Sequence, residues 1–386
     1  MTARLRFPTG QSRLRRHPEP PDPDTYRNPF QRDRDRIIHS RAFRRLAGKT
    51  QVITLPSSEH SRTRLTHTIE VSQIARTVAT ALGLNVDLVE ALALGHDLGH
   101  PAFGHTGETA LNAEMRRHGL HFDHNLHALR IVEHFEGRYA AFRGLNLTFE
   151  VREGLIKHSR DLDPDEPLHR AYCEYLPGQQ PLLEAQMIDA ADEVAYLTAD
   201  LEDAVEGRFL DQHEIRRRVP AFADLAYRVR SEYPGCDSRR AMRETQRRLV
   251  GLLVRGLIEG IRCTAEDSGA NSWQAVRHLP ERIVTSAEPT AETMREIRSL
   301  LTESYYTAMA TRRIANRCAD KLRELFRHYM DHPQALPDNR AELLRSEPLP
   351  QVVCDYVAGM TDAYLLRRYD QLLGGRRSEE LSGTLA

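Results

Sequence analysis

The sequence predicts an all-α fold. Apolar residues recur at three- and four-residue intervals along most of the chain, and glycine or proline stops fall between these runs. Period-2 alternation is scarce: Asn146–Val151 and Glu281–Thr285 are the only short stretches that could be strands. Of 386 residues, 40% are hydrophobic and 28% charged, which is enough apolar surface for a sizeable core.

Residues 1–29 carry Pro18, Pro20, Pro21 and Pro23 in a polar tract and are expected to be extended or disordered. Phe30, Ile37, Ile38, Phe43 and Leu46 stand among charges as on an amphipathic helix over 30–46. Leu65, Ile69, Ile74, Val78 and Leu82 predict the next helix, with Gly83 as its stop. Val86–Leu98 follows, ended by Gly99 and Pro101; another helix starts near Thr106 as N-cap, and one more spans about 125–135. After the turn-rich tract 161–181 comes a long helix, 182–205, with Ile188, Asp192, Ala195 and Ala199 on one stripe. Further helices are expected over 238–261, 290–315, 317–329 and 351–373, with a break at 266–289. The organisation expected is therefore a lead-in (1–29), a helical core (30–210) and a C-terminal helical region (211–386).

The 54 basic side chains balance 55 acidic ones, for a net charge of −1, so the surface as a whole is no clamp for a polyanion. Locally, Arg239, Arg240, Arg243, Arg247 and Arg248 stripe one helix, which suits single-stranded DNA, a subunit contact or a solvated face. No apolar run approaches the ~20 residues of a membrane span, and the first residues lack an apolar signal core. Five scattered cysteines without a CxxC pair suit free thiols in a reducing, cytoplasmic setting.

The chemistry concentrates in histidines and aspartates at inward positions. His67 lies on the stripe of Val71, Ile74 and Val78; His96-Asp97 ends the next apolar helix; Asp192 sits inside the stripe of the long helix. A buried imidazole or carboxylate must find a partner. Two imidazoles and two carboxylates from three helices form a set suited to one hard or borderline divalent ion, with Mg, Mn, Fe, Co, Ni and Zn all compatible. Singly, each has an ordinary explanation as a satisfied core histidine or half of a buried ion pair. His105 and Glu108 are three apart, so the carboxylate can orient the imidazole for proton transfer, although Glu108 also suits the first turn of a helix.

The strings RLAGKTQV (Arg45–Val52), TRLTHTIEVSQIAR (Thr63–Arg76), GHDLGHPAFGHTGE (Gly95–Glu108) and ADEVAYLTADLED (Ala191–Asp203) resemble the HD-domain deoxynucleoside triphosphate triphosphohydrolases, the dGTPase-like family. The C-terminal ESYYTAMATRRIANR has the same look, and Ala102 stands where the family usually has a second proline. The resemblance implies an HD-domain helical core with an added C-terminal helical region. It also implies metal-dependent hydrolysis of a dNTP, dGTP among the candidates, to deoxynucleoside and tripolyphosphate. By position it makes His67, His96, Asp97 and Asp192 the metal ligands and His105 and Glu108 the catalytic pair. Arg64 falls on a phosphate contact, Gln51, Tyr196 and Asp200 on positions that read the deoxyribose, and His124 on a segment approaching the site. Asp189, one turn before Asp192, does not match the motif. Relatives are commonly homo-oligomers, often hexamers. Two rivals stay open: another HD-domain nucleotide phosphohydrolase or phosphodiesterase, and a regulatory single-stranded nucleic-acid-binding protein with a vestigial metal site. The RLTH and FGHTGE strings favour the triphosphohydrolase.

Overall fold

A computed structural model describes residues 2–12, 15–19, 26–51 and 62–374; Pro20, Pro21, Pro23 and Val52 lie outside the described residues. Its α-helices run in chain order as α1 (Pro29–Ile38), α2 (Arg41–Arg45), α3 (Arg64–Leu82), α4 (Val86–Gly95), α5 (Gly104–Arg116) and α6 (His124–Arg130). Then come α7 (Phe149–Ile156), α8 (Leu183–Glu206), α9 (Gln212–Arg218), α10 (Pro220–Glu232), α11 (Ser238–Asp267) and α12 (Trp273–Arg277). The last are α13 (Glu288–Leu301), α14 (Met309–Asp331), α15 (Asp338–Ala341), α16 (Leu349–Ala358) and α17 (Asp362–Leu373). The described residues contain no strand, only an isolated bridge between Thr50 and Thr63, so the fold is all-α.

Local chemistry explains where the helices depart from the periodic pattern. The helix expected over 30–46 is two, because Ser40 is extended and its Oγ caps α2 by accepting from Phe43 N at 3.0 Å. The last helix likewise splits at Gly359 and restarts where Thr361 caps α17. Between α13 and α14 the break falls at a π-type turn, Thr302–Tyr306, rather than near residue 316. The alternating Asn146–Val151 is no strand: Asn146 takes a left-handed φ of 50°, and α7 begins three residues later.

Two compact units interleave along the chain. The first comprises Met1–Ile37, His67–His96 and Asn146–Met309. In it α4, α7, α11 and α13 pack on α8, burying Leu92, Val194, Leu201, Leu257 and Ile297. Residues 2–12, expected to be an unpacked lead-in, form two 3-10 turns and bury Leu5 and Phe7, since two apolar side chains suffice to dock a short segment. The Phe7 ring meets Trp273 edge-on at 5.0 Å, and the indole N–H donates to Gln11 Oε1 at 3.1 Å. Under α7, Glu153 accepts from Arg277 at 2.7 and 2.8 Å and from Lys157 Nζ at 3.0 Å, all three buried.

The second unit comprises Ile38–Thr66, Asp97–Leu145 and Ala310–Ala386. Its core joins Leu111 and Met115 of α5 to Leu322 and Phe326 of α14 and Val353 and Val357 of α16.

Candidate active site

In the first unit, α3, α4 and α8 bring three of the expected ligands together. His67 Nε2 lies 2.7 Å and His96 Nε2 3.9 Å from the same Asp192 Oδ1. Both imidazoles are almost fully buried, with ring centroids 5.9 Å apart. His96 Nδ1–H donates to Ala93 O at 2.7 Å, which fixes the tautomer and turns the Nε2 lone pair toward Asp192. Imidazole lone pairs converging with a carboxylate suit a divalent cation, so these residues fit the ion the resemblance implies.

A third imidazole joins them whose position no motif marks. His158, just beyond α7, meets the His96 ring edge-on at 5.2 Å, and His96, His158 and Asp192 each offer a ligand atom within 4.8 Å of the others. His158 is paired with Asp189, which also accepts from Ser159 N at 3.0 Å and pairs with Arg282. Burial alone would raise the Asp189 carboxyl, but His158 and Arg282 hold it below the ordinary range. Asp189 thus orients a histidine beside the ligands.

Farther along α8, Asp200 is buried and accepts from the Tyr306 hydroxyl, so it is not a solvated helix face. Tyr306 is supplied by the π-type turn. Burial and the charges of Asp192 and Asp200 push Tyr196 up to about 12, keeping it a hydrogen-bond donor.

The second unit begins its part at Asp97, the residue bonded to His96. Asp97 Oδ1 accepts from Arg64 Nη1 at 2.8 Å and lies 3.2 Å from His100 Nε2. Burial, Arg64 and His124 push the His100 pKa well down, so the neutral ring donates from Nε2. Gly104 makes room for Arg64: its φ is +54°, and a Cβ there would meet Arg64 Nη2 at 2.7 Å. Gln51 stands beside this turn, its carbonyl 3.5 Å from the same point.

The stretch from Phe103, left-handed at φ 64°, starts α5 two residues before the expected cap Thr106. That start leaves the His105 side chain 79% exposed, with Nδ1 3.2 Å from Glu108 Oε2. The other Glu108 oxygen lies 2.7 Å from His124 Nδ1 and accepts from His124 N at 3.0 Å. Glu108 therefore joins two histidines, more than a first-turn charge would do. Burial would raise its carboxyl, but hydrogen bonds from His105 and His124 drive it far below the usual range. The His100 and His124 rings stack at 4.0 Å. His127 donates from Nδ1 to Gly99 O at 2.9 Å; burial takes it down to about 3 and keeps it neutral.

The arginine stripe on α11 is largely paired. Arg247 and Arg248 bind Glu244 at 2.7 and 2.8 Å, Arg248 also binds Glu232 at 2.6 Å, and Arg240 lies 3.5 Å from Asp237. No helix among the described residues is long and apolar enough to cross a membrane.

Comparison with known proteins gives the same assignment twice over. The HD domain model matches residues 64–197, and the phosphohydrolase-associated domain model matches residues 283–371. The deoxyguanosinetriphosphate triphosphohydrolase-like protein of Azoarcus sp. (strain BH72) is 42% identical over 361 residues, 94% of this chain and 93% of the relative. Those of Ruegeria sp. (strain TM1040) and Paracoccus denitrificans (strain Pd 1222) are each 40% identical, over 96% and 97% of this chain and 99% and 100% of theirs. With motifs, all-helical fold and near-full-length relatives in agreement, the chain belongs to the deoxyguanosinetriphosphate triphosphohydrolase-like family of HD-domain hydrolases.

Proposed function

We propose that the protein hydrolyses deoxynucleoside triphosphates to deoxynucleoside and inorganic tripolyphosphate with one bound divalent cation, Mg or Mn. The observation that carries this reading is the buried convergence of His67 and His96 on one oxygen of Asp192. Asp97 joins them as the neighbour of His96 in the chain. When bound, the cation polarises the α-phosphoryl group and acidifies a water.

The remaining work falls to the chain. The single segment Gly95–Glu108 carries His96 and Asp97 at one end and His105 and Glu108 at the other, so binding and proton transfer are built on one stretch of backbone. Arg64, its rotamer fixed by Asp97, stabilises phosphate charge. A water oxygen bonds to the α-phosphorus, the bond from that phosphorus to O5′ breaks, and O5′ takes a proton as tripolyphosphate separates. His105 moves the proton and Glu108 holds its tautomer, with His124 closing the other side of the carboxylate. Tyr196, Asp200 and Gln51 contact the deoxyribose.

The test is product analysis. Purified protein is incubated with each dNTP and rNTP and with Mg, Mn, Fe, Co, Ni or Zn, and the products are separated by anion exchange. Deoxynucleoside and tripolyphosphate in equal amounts are expected, with loss of at least about a thousandfold in Asp192→Ala. Release of pyrophosphate or orthophosphate alone would overturn the reaction, and full activity of Asp192→Ala would overturn the ligand set.

A further inference from the structure

The backbone that carries His158 is braced on both sides. Arg282 Nη2 donates to the carbonyls of Lys157 and Arg160 at 2.8 and 2.7 Å, and Lys157 Nζ donates to those of Leu176 and Gln179 at 3.0 and 2.9 Å. Ser159, the next residue, takes a left-handed φ of 58°, which a non-glycine residue adopts only when its surroundings impose it. The His158 imidazole is buried, and its Nδ1 is paired with Asp189. Asp189 is held in turn by Ser159 N and by Arg282.

With Nδ1 on Asp189, the opposite edge of the ring carries Nε2. His96 is built the same way: its Nδ1–H goes to Ala93 O, and its Nε2 faces Asp192. The two rings meet edge-on at 5.2 Å, and His96, His158 and Asp192 each offer a ligand atom within 4.8 Å of the others. Donors on opposite sides of one divalent ion stand about 4.2 Å apart at ordinary bond lengths. Small side-chain movements therefore bring all three onto a shared ion. A carboxylate that takes one imidazole N–H while the other nitrogen meets the metal fixes both the tautomer and the direction of a ligand. His67, His96, His158, Asp189 and Asp192 all belong to the first unit.

We propose that His158, oriented by Asp189, is a further imidazole ligand of the cation. This rests on the reading that His67, His96 and Asp192 hold that ion. The chemical consequence is selectivity. Magnesium prefers a shell of oxygens, whereas each added imidazole favours a transition ion, so His158 tilts the site away from Mg and toward Mn, Fe, Co, Ni or Zn.

The full-length protein is cleared of metal with a chelator and titrated with manganous chloride, with and without competing magnesium. Free Mn is read by electron paramagnetic resonance. A parallel titration with cobaltous chloride follows visible absorption, which reports the ligands around the ion. Wild type is compared with His158→Gln, Asp189→Asn and His67→Ala. We expect one Mn per chain in wild type. His158→Gln, with an amide where the imidazole was, should bind Mn at least tenfold more weakly, lose most of its preference for Mn over Mg and change the cobalt spectrum. Asp189→Asn should weaken Mn severalfold with His158 still in place. Circular dichroism and thermal melting check the fold of each variant. Mn affinity and cobalt spectrum unchanged in His158→Gln, while His67→Ala abolishes binding, overturn the proposal and leave the other ligands standing. A second Mn per chain that only His158→Gln removes overturns the shared ion. Mn binding intact in His67→Ala overturns the underlying ligand set and takes the proposal with it. If His158→Gln does not fold, Asp189→Asn decides, and unchanged Mn affinity there overturns the proposal.

Discussion

Glu108 gives one oxygen to His105 and the other to His124, so its two contacts can be separated from its charge. Glu108→Gln keeps the shape but loses the anion that favours a donating Nδ1–H on both rings. We expect kcat to fall about a hundredfold or more with KM changed little, read by steady-state kinetics on the most active dNTP. Because the carboxyl is held far below the ordinary range, its pairing stabilises the fold above about pH 4 and that contribution is lost as pH falls further. Lys49 carries the opposite charge, but its lowered pKa gives the same direction of pH dependence at higher pH. Its Nζ donates to the carbonyls of His100 and Ala358, while burial, then Arg45 and Arg64, lower its pKa to about 7. An unfolded lysine titrates near about 10.4, so between these values the unfolded chain binds more protons and stability rises with pH. The melting temperature of wild type relative to Lys49→Met should therefore climb from pH 7 to 10, and a flat difference would refute the burial argument.

The stripe of α3 announces itself because its other face meets water at Thr66, Gln73, Arg76 and Thr80. Helix α4 has no exposed residue and is legible instead as an apolar run stopped by Gly99 and Pro101. In α7 every residue is buried, including Glu150, Arg152 and Glu153, so its charges fall where the helical pattern has no place for them and its start mimics a strand. The same limit applied to the site. His67, His96, Asp97 and Asp192 are carried by local motifs, whereas His158, Tyr306 and the grip of Glu108 on His124 arise when distant segments meet. Two expectations belong to these elements. Glu153→Ala strands two buried cations under α7 and should cost about 3–5 kcal/mol by denaturant unfolding. Gly99 faces α6 so closely that a Cβ would lie 1.8 Å from His124 O. Gly99→Ala must therefore push that helix away, at a cost of about 1–3 kcal/mol or more. It should also slow turnover, because α6 begins at His124.

Neither compact unit is a continuous piece of chain, and α8 relies on α11 and α13 for its cover. The sequence-based division at residue 210 cuts between them. A fragment of residues 30–210 should accordingly be soluble only as a loosely packed state, with helical far-ultraviolet dichroism but no near-ultraviolet signal. A cooperative melt from that fragment would show that the cover is dispensable.

The protein contains a single tryptophan, and it is the residue against which Phe7 and Gln11 dock. Its fluorescence is consequently a built-in optical gauge of how the amino terminus is seated. Deleting residues 2–12 should shift the emission to the red, and the emission can be followed in real time without attaching any dye.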